Sequence, residues 1–356
     1  MGVFDSVLKD GESLFRASVA LDYEYVPKLI KFRESEQHYI ASCVKPLFNG
    51  QSGRNLLLYG SPGIGKTVAT RNVMNEIVEH TEDIIPIYIN CWKKNTTYKI
   101  LLEMCDLIGY KYPANKNTLD LFKIVKEKLN KYAVVFCFDE VDKLEDYDFL
   151  YMILTDVFKS SIIMITNYKE WLTQLDERIR SRLTPDTLEF RKYNDYEIKE
   201  ILKYRLSYAF PPNVWDDECL EKVFKTTLEV GDLRSGLYLL KESGQCAEDM
   251  GQKKVAPEHV DKAIVKLKEF SVKNSEELET DNKFILDIIK DNTGMKIGDL
   301  FALYEQKNGA RGYKSFQRSI KSLADANFIT TEKYIGEGGN STIVKYNDRA
   351  KTLSDF

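Results

Sequence analysis

Gly60-Ser61-Pro62-Gly63-Ile64-Gly65-Lys66-Thr67 is a complete G-x-x-x-x-G-K-[ST] octet, and no other stretch constrains the fold of this chain as much. The apolar run Leu56-Leu57-Leu58-Tyr59 in front of it predicts a buried strand. Residues 68–79 behind it, with Val73, Ile77 and Val78 apolar, predict a helix. Strand, glycine loop and helix in that order turn successive backbone N–H groups inward, and the helix start adds its positive end. Gly60, Gly63, Ile64, Gly65 and Val68 are therefore candidate phosphate contacts. Lys66 is placed to meet the β- and γ-phosphates of a nucleotide, and the Thr67 hydroxyl to ligate Mg²⁺. A turn between unrelated elements is the plainer reading of the octet alone.

A second motif makes that plainer reading hard to keep. Val134-Val135-Phe136-Cys137-Phe138 is a run of five apolar residues, as expected of a central parallel strand buried on both faces. Asp139 and Glu140 follow it, and the C-terminal ends of such strands face the crevice where open α/β sheets bind ligands. Asp139 is a candidate Mg²⁺ ligand, directly or through water, and Glu140 a candidate to polarise an attacking water. Residues 162–166 predict a further strand ending in Asn167, whose amide would stand beside the γ-phosphate, although Asn also ends strands simply as a turn former. A strand at 84–89 and helices at 97–109 and 119–129 complete an alternation that implies a parallel sheet with helices on both sides. Arg178, Arg180 and Arg182 lie close together downstream. They fit a guanidinium acting on phosphate in cis or from a neighbouring subunit, and equally a solvated basic helix.

At 356 residues the chain is long enough for two or three domains. Residues 1–20 lack a sustained pattern and are expected to be loosely attached. Residues 23–27 lead into a helix over 34–48, and Tyr25-Val26-Pro27 is a candidate for the adenine side of the site or for ordinary packing. From Asp195 the pattern is helical throughout, at 195–208, 217–229, 232–251 and 257–270, which predicts a small separate bundle. Asp232 is placed to cap the third of these helices, and Arg234 on its first turn to reach back to a nucleotide. Glu276, Glu277, Glu279 and Asp281 then mark an acidic linker. Six cysteines without a C-x-x-C pair predict reduced thiols, and three scattered histidines give no metal cluster. No stretch approaches 18 apolar residues, so no membrane partner and a cytoplasmic location are expected.

The last eighty residues predict three short helices, at 282–291, 297–307 and 314–327, and two strands, at 328–334 and 342–346, around a Gly336-Glu337-Gly338-Gly339-Asn340 tip. Helix, helix, helix, hairpin is the order of a winged helix. At 100° per residue, Phe316, Ile320, Leu323 and Asn327 share one side of the third helix, while Lys314, Arg318 and Lys321 cluster within about 60° on the other. Such a helix packs by one face and offers the other to phosphates or base edges. Arg311 borders the basic face, Asp325 lies on it, and a solvated surface is the alternative. The formal charge of −4 argues against coating nucleic acid indiscriminately. From Thr280 onward twelve Lys and Arg stand against ten Asp and Glu, a surplus of two that leaves −6 for the first 279 residues. Any DNA contact is therefore local.

YGSPGIGKT, VVFCFDEVDKL, ITN, LDERIRSRL, GDLRSGLYLL and the C-terminal winged-helix pattern, in that order, resemble the archaeal origin-recognition initiators. This family is related to origin recognition complex subunit one and the cell-division-cycle-six protein. The resemblance implies an α/β P-loop AAA+ core with a parallel sheet at 23–192 after an extension at 1–22. It also implies an all-α lid at 193–272, an acidic linker at 273–281 and a winged-helix domain at 282–356. It assigns Lys66 and Thr67 to nucleotide and Mg²⁺, Asp139 and Glu140 to Mg²⁺ and water, Asn167 and Arg234 to the two sensors, and Tyr193 and Arg205 to nucleotide near the core–lid junction. Lys314, Arg318, Lys321, Arg311 and the wing glycines Gly338 and Gly339 would contact DNA, as would the helix at 97–109 and its approach. Ser61 and Ile64 depart modestly from the family's loop, and Glu337 makes the wing less basic. The implied function is an initiator that binds double-stranded origin DNA, helps recruit the replicative MCM helicase, meets other initiator copies and uses slow ATP hydrolysis to ADP as a switch. A signalling ATPase whose winged helix contacts protein, a transcription regulator and a mechanical ATPase are the competing readings.

Overall fold

The computed structural model describes residues 13–113, 116–276, 280–307, 309, 312–325, 328–336 and 339–347. Contacts divide the chain into a larger unit that ends at Val260 and a smaller one that begins at Asp261.

The larger unit is built on five parallel strands, β1 (Leu56–Tyr59), β2 (Ile84–Asn90), β3 (Ala133–Asp139), β4 (Ser160–Ile165) and β5 (Asp186–Glu189), in the spatial order β2-β3-β4-β1-β5. Every residue of β3 is buried. Its side chains alternate between two cores, as a strand covered on both faces requires. Val134, Phe136 and Phe138 join Leu57, Ile162 and Met164 on one face. Val135 and Cys137 join Leu56, Leu58, Ile163 and Ile165 on the other. The first face is covered by α3 (Thr97–Leu107), α4 (Thr118–Leu129), α5 (Asp148–Asp156) and α6 (Glu177–Leu183); the second by α1 (Glu34–Val44) and α2 (Lys66–His80). Since β1, β4 and β3 are neighbours in register, the loops leaving their C-terminal ends meet in one place.

Four helices follow, α7 (Asp195–Ala209), α8 (Asp217–Val230), α9 (Leu233–Asp249) and α10 (Pro257–Glu276). A reciprocal pair opens α7: Asn194 accepts from the Glu197 N–H at 2.9 Å while Glu197 accepts from the Asn194 N–H at 3.0 Å. Gly231, at φ 74°, ends α8 and lets α9 start two residues later.

The smaller unit runs α11 (Thr280–Asp291), β6 (Met295–Lys296), α12 (Ile297–Gln306), α13 (Tyr313–Asp325), β7 (Ile329–Gly336) and β8 (Gly339–Tyr346). Its antiparallel sheet has the order β6-β8-β7, and Ile285, Ile289, Leu300, Tyr304, Phe316, Leu323 and Val344 fill its core. This is a winged helix.

Several elements differ from the sequence reading. The helix expected at 34–48 stops at Val44 and continues as a 3₁₀ turn, Lys45–Asn49, because Pro46 lacks the N–H that the next α turn needs. Residues 13–22 are not loose. The Arg16 and Ala17 N–H groups donate to Ala209 O, Phe15 packs on Phe210 at 4.6 Å, and Lys241 pairs with Asp22. Residues 273–276, read as linker, are the last turn of α10.

Phe136 is fully buried and stacks on Phe138 at 5.8 Å. Phe136→Ala is expected to cost about 3–5 kcal/mol of unfolding free energy. Urea titration reads this as a lower midpoint, and an unmoved midpoint would show that the two-faced core does not depend on this strand.

Candidate functional site

The glycine loop between β1 and α2 is shaped by positive φ at Gly60 (144°), Gly63 (74°) and Gly65 (88°). A Cβ on Gly60 would stand 2.5 Å from Phe190 O, and one on Gly63 would stand 2.7 Å from Asp232 Oδ1. The second contact brings the start of α9 against the loop.

The Lys66 side chain is buried and folds back over the loop. Its Nζ donates to Gly60 O at 2.6 Å, Ser61 O at 2.9 Å and Asn167 Oδ1 at 3.1 Å. Burial lowers its pKa to about 8; Asp139 opposes the shift and Arg234 adds to it. Asn167, just beyond β4, thus lies against Lys66.

Asp139, at the end of β3, accepts at Oδ2 from Thr67 Oγ1 (2.6 Å) and Tyr88 OH (2.8 Å), and at Oδ1 from the Glu140 N–H (2.9 Å). Two hard oxygen donors, the Thr67 hydroxyl and the Asp139 carboxylate, therefore sit side by side, the donor chemistry that Mg²⁺ takes. Glu140 adopts φ 56°, in the left-handed region. Burial, with the charges of Asp139 and Asp142, raises its pKa, which makes it a stronger base.

Arg234 is exposed, and its guanidinium makes no ion pair among the described residues, yet its charge is felt by both Lys66 and Glu140. Asp232 caps α9 by accepting from the Arg234 N–H at 2.9 Å. Tyr193 and Arg205 have different neighbours. The Tyr193 hydroxyl reaches to 2.7 Å from a Cβ on Gly65, and burial raises its pKa to about 12. Arg205 instead donates to Asp22 O (2.9 Å) and Tyr25 O (3.2 Å) and lies over the Tyr25 ring. Arg178 pairs with Asp176, and Arg182 covers Tyr151.

Sequence reasoning missed Tyr88 and Arg33. Tyr88 looks like any strand aromatic. Arg33 precedes a helix at a position where its side chain caps nothing, and no periodicity or motif points to it.

In the winged helix, Lys314, Arg318 and Lys321 are exposed on α13, opposite the buried Phe316, Ile320 and Leu323. Arg311 and Gly338 lie outside the described residues; Gly339 begins β8, paired with Gly336. α3 buries Ile100, Leu101, Met104 and Cys105. The approach to it is open: Trp92 is 65% exposed, with the Lys143 ammonium 5.1 Å from its ring centre.

A phosphate loop, an acidic strand end and an amide gathered at the mouth of a β2-β3-β4-β1-β5 sheet, with a helical lid touching the loop, make this a AAA+ protein that also carries a winged helix. Family models agree: an AAA domain matches residues 50–175, and a Cdc6 AAA+ ATPase-type lid domain matches residues 199–265. The ORC1-type DNA replication protein 1 of Methanosarcina mazei is 30% identical over 328 residues, covering 86% of this chain and 79% of its own. The structure of the Aeropyrum pernix ORC1 protein in complex with DNA shares the fold at TM-score 0.70, with 24% identity, over 95% of this chain and 94% of that one. The Aeropyrum pernix ORC2 protein, solved as ADPNP–ADP complexes, also gives TM-score 0.70, with 19% identity, over 95% of each chain. The chain belongs to the family of ORC1-type DNA replication proteins.

Since burial depresses Lys66 from 10.5 to about 8, the unfolded chain binds more protons than the folded one between those values. Stability of the empty protein therefore gains a contribution as pH rises from about 8 towards 10.5, by up to about 3 kcal/mol. Lys66→Met should lack that increment. Denaturation series at matched pH for both proteins measure it, and parallel curves would contradict the burial of a charged Lys66.

Proposed function

We propose that this chain binds ATP and ADP with Mg²⁺, hydrolyses ATP slowly, and uses the nucleotide state to control a replication initiator's hold on double-stranded origin DNA and its recruitment of the replicative helicase. The observation that carries the nucleotide half is the convergence of Lys66, Thr67, Asp139 and Asn167 through direct hydrogen bonds at three adjacent strand ends. Incoming phosphates replace the Gly60 and Ser61 carbonyls as partners of Lys66. This exchange restores the full charge that burial opposes. Thr67 and Asp139 would hold Mg²⁺, which would supply neutralisation of phosphate charge. Asn167, with Oδ1 on Lys66, keeps its amide N–H groups for the γ-phosphate or the attacking water. Glu140 takes the proton of that water as its oxygen bonds to the γ-phosphorus, the bond from that phosphorus to the β–γ bridging oxygen breaks, ADP leaves with the electron pair, and Arg234 balances charge from the lid side.

The DNA half rests on the exposed Lys314, Arg318 and Lys321 of α13, arranged to meet the backbone while the opposite face holds the core. Trp92, with Lys93 and Lys143 nearby, offers a second, aromatic and basic contact at the approach to α3.

Glu140→Gln is expected to keep ATP affinity within a few-fold while slowing hydrolysis by roughly a hundredfold or more, since a general base contributes at least that much. Single-turnover assays with labelled ATP separate the two, and an undiminished rate removes Glu140 from the chemistry. Lys314, Arg318 and Lys321 changed together to Ala should weaken duplex binding and flatten the slope of log affinity against log salt by about 2.7, three phosphate contacts' worth of counterion release. Fluorescence anisotropy across a salt series reads both quantities; an unchanged slope rules out α13 as the reading helix.

A further inference from the structure

We propose that Arg33 is a positioning residue for the nucleotide, a clamp that fixes the phosphate loop to the entrance of the lid. The inference rests on the reading of the glycine loop as a nucleotide site and assigns one residue that neither the octet nor the strand ends supply.

Arg33 is a fully buried arginine whose hydrogen-bond partners lie at this junction. Its Nε donates to Ile64 O at 3.1 Å, inside the phosphate loop. One Nη donates to Arg191 O at 2.6 Å, between β5 and α7, and the other donates to Phe32 O at 3.1 Å and to Glu36 Oε1 at 3.0 Å. The guanidinium plane lies 3.9 Å from the centre of the Tyr193 ring, whose hydroxyl reaches the loop at Gly65. Lysine offers no planar fork that could span carbonyls from two separate segments.

The bond to Ile64 O acts on the phosphate side of the loop through peptide geometry. In a trans peptide the carbonyl of one residue and the N–H of the next point in opposite directions. Drawing the Ile64 carbonyl back towards Arg33 therefore aims the Gly65 N–H away from Arg33, to the side where phosphate oxygens lie. The same guanidinium holds Arg191 and Tyr193, the residues that lead into α7, so loop and lid entrance share one anchor.

The backbone before Arg33 carries the mark of a conformation held for a purpose. Phe32 has φ 63°, a left-handed conformation that a bulky aromatic residue disfavours. That turn reverses the chain and delivers Arg33 inward instead of into solvent.

The test compares binding of fluorescent ADP to the full chain and two variants, alongside thermal melting without nucleotide. Arg33→Lys, which keeps charge but loses the fork, is expected to bind at least tenfold more weakly. Glu36→Gln, which removes the ion pair but leaves the bonds to both carbonyls, should bind within twofold of the unaltered protein even if its melting temperature falls. Equal affinity in Arg33→Lys, or an equal loss in both variants, overturns the clamp. Failure of the unaltered chain to bind ADP overturns instead the nucleotide reading beneath it. Should Arg33→Lys not melt cooperatively, Phe32→Gly decides the matter: glycine tolerates the turn but loosens it, so weaker ADP binding at a near-normal melting temperature supports the clamp and unchanged binding overturns it.

Discussion

A buried ammonium that faces carbonyl oxygens in place of a carboxylate governs the nucleotide site. Lys66 has three acceptors, Gly60 O, Ser61 O and Asn167 Oδ1, all neutral, while Asp139 is occupied by Thr67 and Tyr88. Desolvation without a paired anion is unfavourable, and the depressed pKa of Lys66 is its signature. Had Asp139 paired directly with Lys66, the site would be electrostatically closed, and a phosphate would have to break an ion pair to enter. Holding the carboxylate on a hydroxyl pair a short way off keeps the lysine hungry for an anion and the carboxylate ready for a cation. That separation depends in turn on β1, β3 and β4 being neighbours, because each supplies one of the groups from its C-terminal end.

How much of this was legible in the sequence follows from how locally each feature is encoded. The phosphate loop and β3 could be read directly, since a strand buried on both faces must be continuously apolar and the loop's glycines serve backbone conformations that few other residues accept. β5 was missed because an edge strand with one polar face, Asp186-Thr187-Leu188-Glu189, has no run to notice, and β6 is only two residues long. α5, at Asp148–Asp156, followed a carboxylate-rich turn that masked its apolar face of Phe149, Leu150 and Ile153. In the winged helix the amphipathic angle of α13 was enough to separate Phe316, Ile320 and Leu323 from Lys314 and Arg318, because a helix packed on one side repeats its pattern every turn.

The N-terminal segment shows the opposite case. Nothing periodic marks residues 13–33, because they form no long element and are held largely by hydrogen bonds between side chains and distant backbone carbonyls. Arg205 takes Asp22 O and Tyr25 O, and Arg33 takes Ile64 O and Arg191 O. A carbonyl is the same in every residue, so such contacts leave no trace in residue identity at the accepting end. Only the donor is specific, and since most arginines sit on a solvated surface, the residue type does not give a buried clamp away. This is also why Tyr193 and Arg205, expected together, serve different neighbours: their spacing in sequence says that both face the junction of core and lid without saying which carbonyls each will find.

Strain offers a way to recognise what pattern leaves out. Among the described residues, four that are not glycine have positive φ: Phe32, Glu140, Thr184 and Asn213. Asn213 is of a residue type that tolerates the left-handed region, and Thr184, though β-branched, sits at the end of α6, where helices often turn left-handed. Phe32 and Glu140 have no such excuse, and they flank the same site, one aiming a guanidinium at the back of the phosphate loop and the other turning a carboxylate at the end of β3. Each is held by neighbours that cannot relax independently: the Arg33 fork spans two chain segments, and β3 is fixed by burial along its whole length. Local conformations that cost energy persist only where the surrounding structure over-determines them. The rigid sheet and the buried arginine thus do for the backbone what Thr67 and Tyr88 do for Asp139, holding each group in one place.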